Sequence, residues 1–159
     1  MPRALLLNHC VLFLCTSIYV GIGIFMLFFL FPMEPRLTPD NYAMLFVDPV
    51  ANATSFLTWM TILMFVTALV MLATEWFTGL RWVPVIVLLG LSAATLLTMY
   101  ALFPYNRELT AGITDPERLK HVFSNWACLN RIRISLWFVQ WLAMMYWFYR
   151  MALQARADR

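Results

Sequence analysis

The chain has 159 residues, of which 63% are hydrophobic and 12% charged. A water-soluble domain carries roughly a quarter charged residues, so half that share points to the bilayer, and the length allows one domain, residues 1–159. The net charge of +3 is small and scattered, which leaves no basic track for a phosphate backbone and excludes nucleic acid as a partner.

A membrane helix needs about 20 mostly apolar residues, and four stretches qualify: 11–31, 53–73, 82–103 and 134–153. The expected fold is therefore all-α, an integral membrane four-helix bundle. The first stretch ends in "FFLFPMEP", which lacks the small residues of a cleavage site, so it reads as a retained helix and not a signal peptide. Between the first two stretches, "TPDN" predicts a short interfacial helix over 39–47, and "DPVA" predicts that span two starts at Pro49. "DPER" predicts the start of the last helix at Pro116. In each motif a Thr or Asp precedes a proline at the first helical position, where its missing N–H costs nothing. A helix from 116 to 154 is about 58 Å long, nearly twice the hydrocarbon core of about 30 Å, so it overhangs the membrane or tilts.

Four spans put both termini and the short "TEWFTGLR" turn on one side, called side A. Side A carries Arg3, Arg81, Arg150, Arg156 and Arg159. Side B carries Arg36, Arg107, Arg118 and Lys120, with Arg131 and Arg133 set inside the last helix. Because the positive-inside rule counts loop residues, both termini are expected in the cytoplasm. Side B has the longer connections, 32–52 and 104–120.

Residues three or four apart share a helix face, and Trp126, Asn130, Arg133, Trp137, Gln140 and Trp141 form one such stripe, extended backwards by His121 and Asn125. An ionisable group in a span usually faces the bundle or a wet cavity and has a partner. For Arg133 the acids on side B are Glu34, Asp40, Asp48 and Glu108. The competing reading is an arginine that snorkels to lipid headgroups, and Arg131, on the other face, is assigned to headgroups. Trp147 and Tyr149 read as an interfacial aromatic belt. Ser17 with Gly21, and Gly90 with Ala94, have the small-residue spacing of close helix contacts.

Other chemistry is thin. Cys10, Cys15 and Cys128 form no CxxC pair and read as apolar thiols, and the 11 methionines read as core filler. His9 and His121 fall at opposite membrane faces, so they cannot share a metal or a haem. No metal and no cofactor is expected, and there is no P-loop, dinucleotide fingerprint or Ser/His/Asp set. "NAT" at Asn52 matches a glycosylation sequon but abuts the membrane.

The pattern "FPYNREL", a short acidic linker and then W-x3-N-x2-R, carried by Pro104, Asn106, Leu109, Trp126, Asn130 and Arg133, resembles the small four-helix membrane proteins of the anthrone-oxygenase-like family. "YVGIGIFMLFFLFP" in the first span fits the same layout. The resemblance implies oxidation of a flat phenolic substrate by dioxygen without a cofactor. It implies Arg133 and Asn130 as catalytic groups and Trp126 and Asn106 as substrate-binding groups. Trp137 and Gln140 extend that lining along the stripe, and His121 is the histidine available on that side as a base. The alternatives are a non-catalytic accessory or assembly subunit with lateral membrane-protein partners, and a small-solute carrier. Absence of an internal repeat weakens the carrier. Membrane lipids are partners in every reading.

Overall fold

The computed structural model describes residues 2–157; the side chains at 48, 51 and 52 lie outside that description. The sequon at Asn52, Asp48 as an acid for Arg133, and the terminal charges Asp158 and Arg159 thus fall outside the described residues. The rest forms helices and turns, with no strand among the described residues. Helix α1 spans Arg3–Phe25, α2 Asp48–Glu75, α3 Trp82–Leu96, α4 Phe103–Ala111 and α5 Pro116–Ala157.

Three prolines shape side B in a way the sequence did not suggest. Helical winding widens to π turns at Met26–Leu30, Ala43–Val47 and Leu97–Leu102. Each widened segment ends two residues before a proline: Pro32, Pro49 and Pro104. A proline inside a helix lacks the N–H for the i−4 carbonyl, and its ring collides with that carbonyl. Those carbonyls belong to Phe28, Leu45 and Tyr100, inside each widened segment, so the extra width relieves the clash without ending the helix. Two expectations change as a result. The interfacial helix is no separate element, because Ala43–Val47 winds straight into α2 and Pro49 lies within a continuous helix. Pro104 does not end the third span either; α4 prolongs it to Ala111, where Gly112 at φ 93 turns the chain.

The start of α5 follows the expectation, since Asp115 Oδ1 accepts from the Glu117 N–H at 3.1 Å. In "TPDN" the cap is reversed: Asn41 Oδ1 accepts from the Thr38 N–H at 2.9 Å.

Three helical stretches are long and apolar enough to cross a membrane: Arg3–Arg36, Ala53–Glu75 and Trp82–Ala111. Their most apolar windows have mean hydropathy of 2.4, 2.2 and 2.2, yet only 39%, 28% and 22% of each is buried in the protein. Leu14, Phe28, Trp59, Val66 and Leu89 point outward. Helices this apolar with so little protein cover need lipid around them, so this is a membrane protein. The expected fourth span, 134–153, lies within α5, which is not among these helices; Gln140, Arg150 and the indoles and phenols around them lower its hydropathy.

The four long helices contact one another in the cyclic order α1, α2, α3, α5. Two glycines allow close approach. A Cβ on Gly23 would lie 2.9 Å from Ile134 Cγ2, and one on Gly90 would lie 2.7 Å from Gln140 Cγ. Gly21, expected at a helix contact with Ser17, has open space around it; Ser17 instead accepts the Trp141 Nε1–H at 3.1 Å.

Tyr42 ties the two side-B connections together. Its hydroxyl donates to the Leu109 carbonyl at 3.1 Å and accepts from the Ile113 N–H at 2.6 Å, all buried. Tyr42→Phe leaves that N–H without a partner, at a cost of about 1–3 kcal/mol. Faster hydrogen exchange at the Ile113 amide, with the α2 and α3 amides unchanged, is the expected signature.

Candidate functional site

The α5 stripe faces inward. Trp126, Asn130, Trp137 and Gln140 are buried, and Arg133 is partly buried with its Nε fully enclosed. Asn130 Nδ2 donates to the Trp126 carbonyl at 2.9 Å, and Gln140 Nε2 donates to the Leu136 carbonyl at 3.2 Å. Both amides thereby spend a donor on their own helix. Asn130 Oδ1, Arg133 Nε and Gln140 Oε1 are left buried without a hydrogen-bond partner. Such orphans are rare in folded proteins, and three on one helix face mark a polar lane.

Arg133 occupies the middle of that lane. Its guanidinium donates to Thr98 Oγ1 at 3.2 Å and lies 4.8 Å from the centre of the Trp137 ring, within cation–π range. Thr98 belongs to the widened turn before Pro104, and its own hydroxyl donates to the Ala94 carbonyl at 2.8 Å, which leaves its lone pairs for the arginine. Tyr19 of α1 packs on Trp137 at 4.7 Å, with its hydroxyl held by Thr61 Oγ1 at 2.6 Å. Among the described residues no carboxylate pairs with Arg133. Glu108 is engaged by Arg118 at 2.6 Å, and Glu34 and Asp40 form no ion pair with any of the described residues.

Trp126 sits toward side B. Its Nε1–H donates to Asn106 Oδ1 at 2.8 Å, and its ring meets Phe46 edge-on at 4.4 Å. Asn106 also lines a cavity of about 530 Å³ with Phe46, Val50, Thr54, Phe103 and Thr110, within the volume range of small-molecule pockets. Arg133 and Asn130 do not line it. Asn106→Ala would strip Trp126 of its acceptor at a cost of about 1–3 kcal/mol, whereas Asn106→Asp retains an acceptor there. A lower melting temperature in detergent for the alanine variant alone is expected.

The seven singled-out residues thus divide into groups. Arg133, Trp137, Asn130 and Gln140 share the lane, and Trp126 and Asn106 form a pair above it. His121 is exposed, with its Nε2 3.1 Å from Asn125 Nδ2, and the fold does not bring it to the arginine. Arg131 is exposed, its guanidinium 5.2 Å from the Phe31 ring centre.

One polar cluster escaped the sequence reading. Trp147, expected in an interfacial belt, is fully buried and donates to Glu75 Oε1 at 3.1 Å; His9, also fully buried, packs on its ring at 4.6 Å. The stripe from Trp126 through Trp137 and Gln140 reaches Trp147 at the same helical spacing, which was the available signal. Comparison of the chain with family models, with curated proteins and with solved structures finds no match.

Proposed function

We propose that the chain is a four-helix integral membrane bundle, with α5 as the fourth span, that oxidises a flat phenolic substrate with dioxygen in the manner of the anthrone-oxygenase-like family. The observation that carries this reading is the inward arginine without a carboxylate partner among the described residues and with its Nε unpaired. A cation in a membrane interior is costly unless something anionic answers it. A phenolate or enolate oxygen reaching it would accept from Nε, while Asn130 Oδ1 would accept from a second hydroxyl.

The chemistry follows from that charge. An anthrone-type substrate loses one proton from its ring methylene and becomes a delocalised anion whose charge rests on oxygen. A neighbouring guanidinium favours the ionised form, and the proton leaves to solvent on this reading, since His121 is exposed and bonded to Asn125 and not beside the arginine. The anion passes an electron to dioxygen, and the radical pair joins as a carbon-bound peroxide. Loss of the second methylene hydrogen with cleavage of the O–O bond gives a ketone and water. The sum is CH2 plus O2 giving C=O plus H2O, with no external reductant. Arg133 contributes by stabilising the developing oxyanion.

Both termini are assigned to the cytoplasm on this reading by the loop count of Lys and Arg in the sequence, five on side A (Arg3, Arg81, Arg150, Arg156 and Arg159) against four on side B (Arg36, Arg107, Arg118 and Lys120). The test is oxygen uptake by the purified full chain with a hydroxylated anthrone, where one dioxygen should disappear per quinone formed. Uptake no faster than in protein-free detergent would refute the enzyme and favour the accessory-subunit role, which makes no use of the buried cation.

A further inference from the structure

The side-A end holds a second arrangement that this chemistry does not use. Glu75, the last residue of α2, is 7% exposed. Its Oε1 accepts from Trp147 at 3.1 Å and its Oε2 from Thr78 Oγ1 at 2.6 Å. His9 bonds through Nδ1 to the Leu5 carbonyl, so Nε2 faces Glu75 Oε1 at 3.7 Å and has no hydrogen-bond partner. A carboxylate offers about four acceptor sites, so the two bonds from Trp147 and Thr78 leave capacity on Glu75. The residue lines a cavity of about 410 Å³ between the start of α1, the α2–α3 turn and α5. Arg150 lines the same cavity, yet it forms no ion pair with Glu75 among the described residues; it donates to the Tyr146 hydroxyl at 2.9 Å. Two opposite charges therefore border one hollow without closing on each other.

We propose that this cavity binds the headgroup of an ethanolamine-type phospholipid, with its ammonium on Glu75 and its phosphate on Arg150. A primary ammonium supplies the short, charge-assisted donors that a buried carboxylate accepts. The exposed guanidinium at the rim suits a phosphate. Leu5, Leu80 and Met151 complete the wall with apolar surface for the glycerol end. The location also fits a lipid: Trp82 and Tyr146 pack at 5.1 Å beside this end of the helices, as amphipathic rings do at a membrane interface. A choline headgroup carries the same two charges but has methyl groups where the N–H donors are needed, so it should be rejected at Glu75. This inference is independent of the chemistry at Arg133.

The experiment equilibrates the purified full chain with an equimolar mixture of ethanolamine and choline phospholipids of identical acyl chains, then weighs the retained lipid by native mass spectrometry. Enrichment of the ethanolamine lipid by about tenfold is expected, the size of one charge-assisted hydrogen bond. Glu75→Gln keeps an acceptor for the Trp147 N–H and so the local fold, and should bring the ratio to parity. Arg150→Ala, on the surface, should weaken retention of both lipids. Equal retention by the unaltered chain overturns the proposal, as does enrichment that survives both substitutions. Binding of free phosphoethanolamine without retention of the lipid would overturn the lipid assignment.

Discussion

If the chain is the proposed oxygenase, replacing Arg133 by methionine is expected to lower turnover of a phenolic substrate by about a hundred- to a thousandfold, the usual effect of deleting one donor to a developing oxyanion, while the folded helices stay at least as stable. The two halves of that expectation come from the same geometry. Methionine fills a similar volume without charge, so no large cavity forms. It forfeits the bond to Thr98 Oγ1 and the contact with the Trp137 face, but it also removes a cation with no carboxylate partner among the described residues. Replacing buried charge by apolar side chains is often neutral or stabilising. An arginine kept for architecture would behave in the opposite way, with a lower melting temperature and turnover reduced only in step with unfolding. Arg133→Lys retains the charge but not the planar set of donors, and should fall between the two in kcat/KM. Full turnover in a well-folded methionine variant would remove the arginine from the chemistry altogether.

Period and composition were readable in the sequence; long-range pairing was not. The 3.6-residue rhythm of Trp126, Asn130, Trp137 and Gln140 identified the inner face of α5, because burial follows helical spacing wherever a helix packs on others. Apolar length marked four spans, and three of them stand as helices long and apolar enough to cross a membrane. The prolines misled, since Pro32, Pro49 and Pro104 read as boundaries, whereas the backbone widens ahead of each and continues. That outcome depends on tertiary packing, which supports a helix through a local defect that an isolated peptide would not tolerate. Trp147 misled in another way: an indole near a span end is usually interfacial, and nothing local to "YWFYR" indicates that Glu75 waits for its N–H. The His9–Glu75–Trp147 cluster joins three helices distant in sequence, so the helical spacing that reaches Trp147 could give its burial but not its partners.

Gly90→Ala should destabilise the helix packing by about 1–3 kcal/mol, although alanine is the better helix former. The added Cβ would lie 2.7 Å from Gln140 Cγ and 2.8 Å from its Nε2. The nearest atom is close to the root of the side chain, where rotation gives little relief, so α3 must move away from α5. Gly21→Ala is the matched control, because nothing lies within 4 Å of its Cβ position; it should be neutral or mildly stabilising. Gln140→Ala removes the obstructing atoms, and the double variant with Gly90→Ala should recover most of the lost stability, a coupling that a thermodynamic cycle in detergent reads directly. The consequence reaches the arginine as well. Gly90 and Thr98 ride on the same run of helix, Trp82–Ala111, so backing α3 away from α5 draws Thr98 Oγ1 from the guanidinium, 3.2 Å from it at present. On the proposed oxygenase reading, turnover should therefore fall in Gly90→Ala; the double variant, which also removes Gln140 from the same lane, is read for stability alone. Were Gly90→Ala as harmless as Gly21→Ala, the close approach of α3 to α5 would not be what positions Arg133.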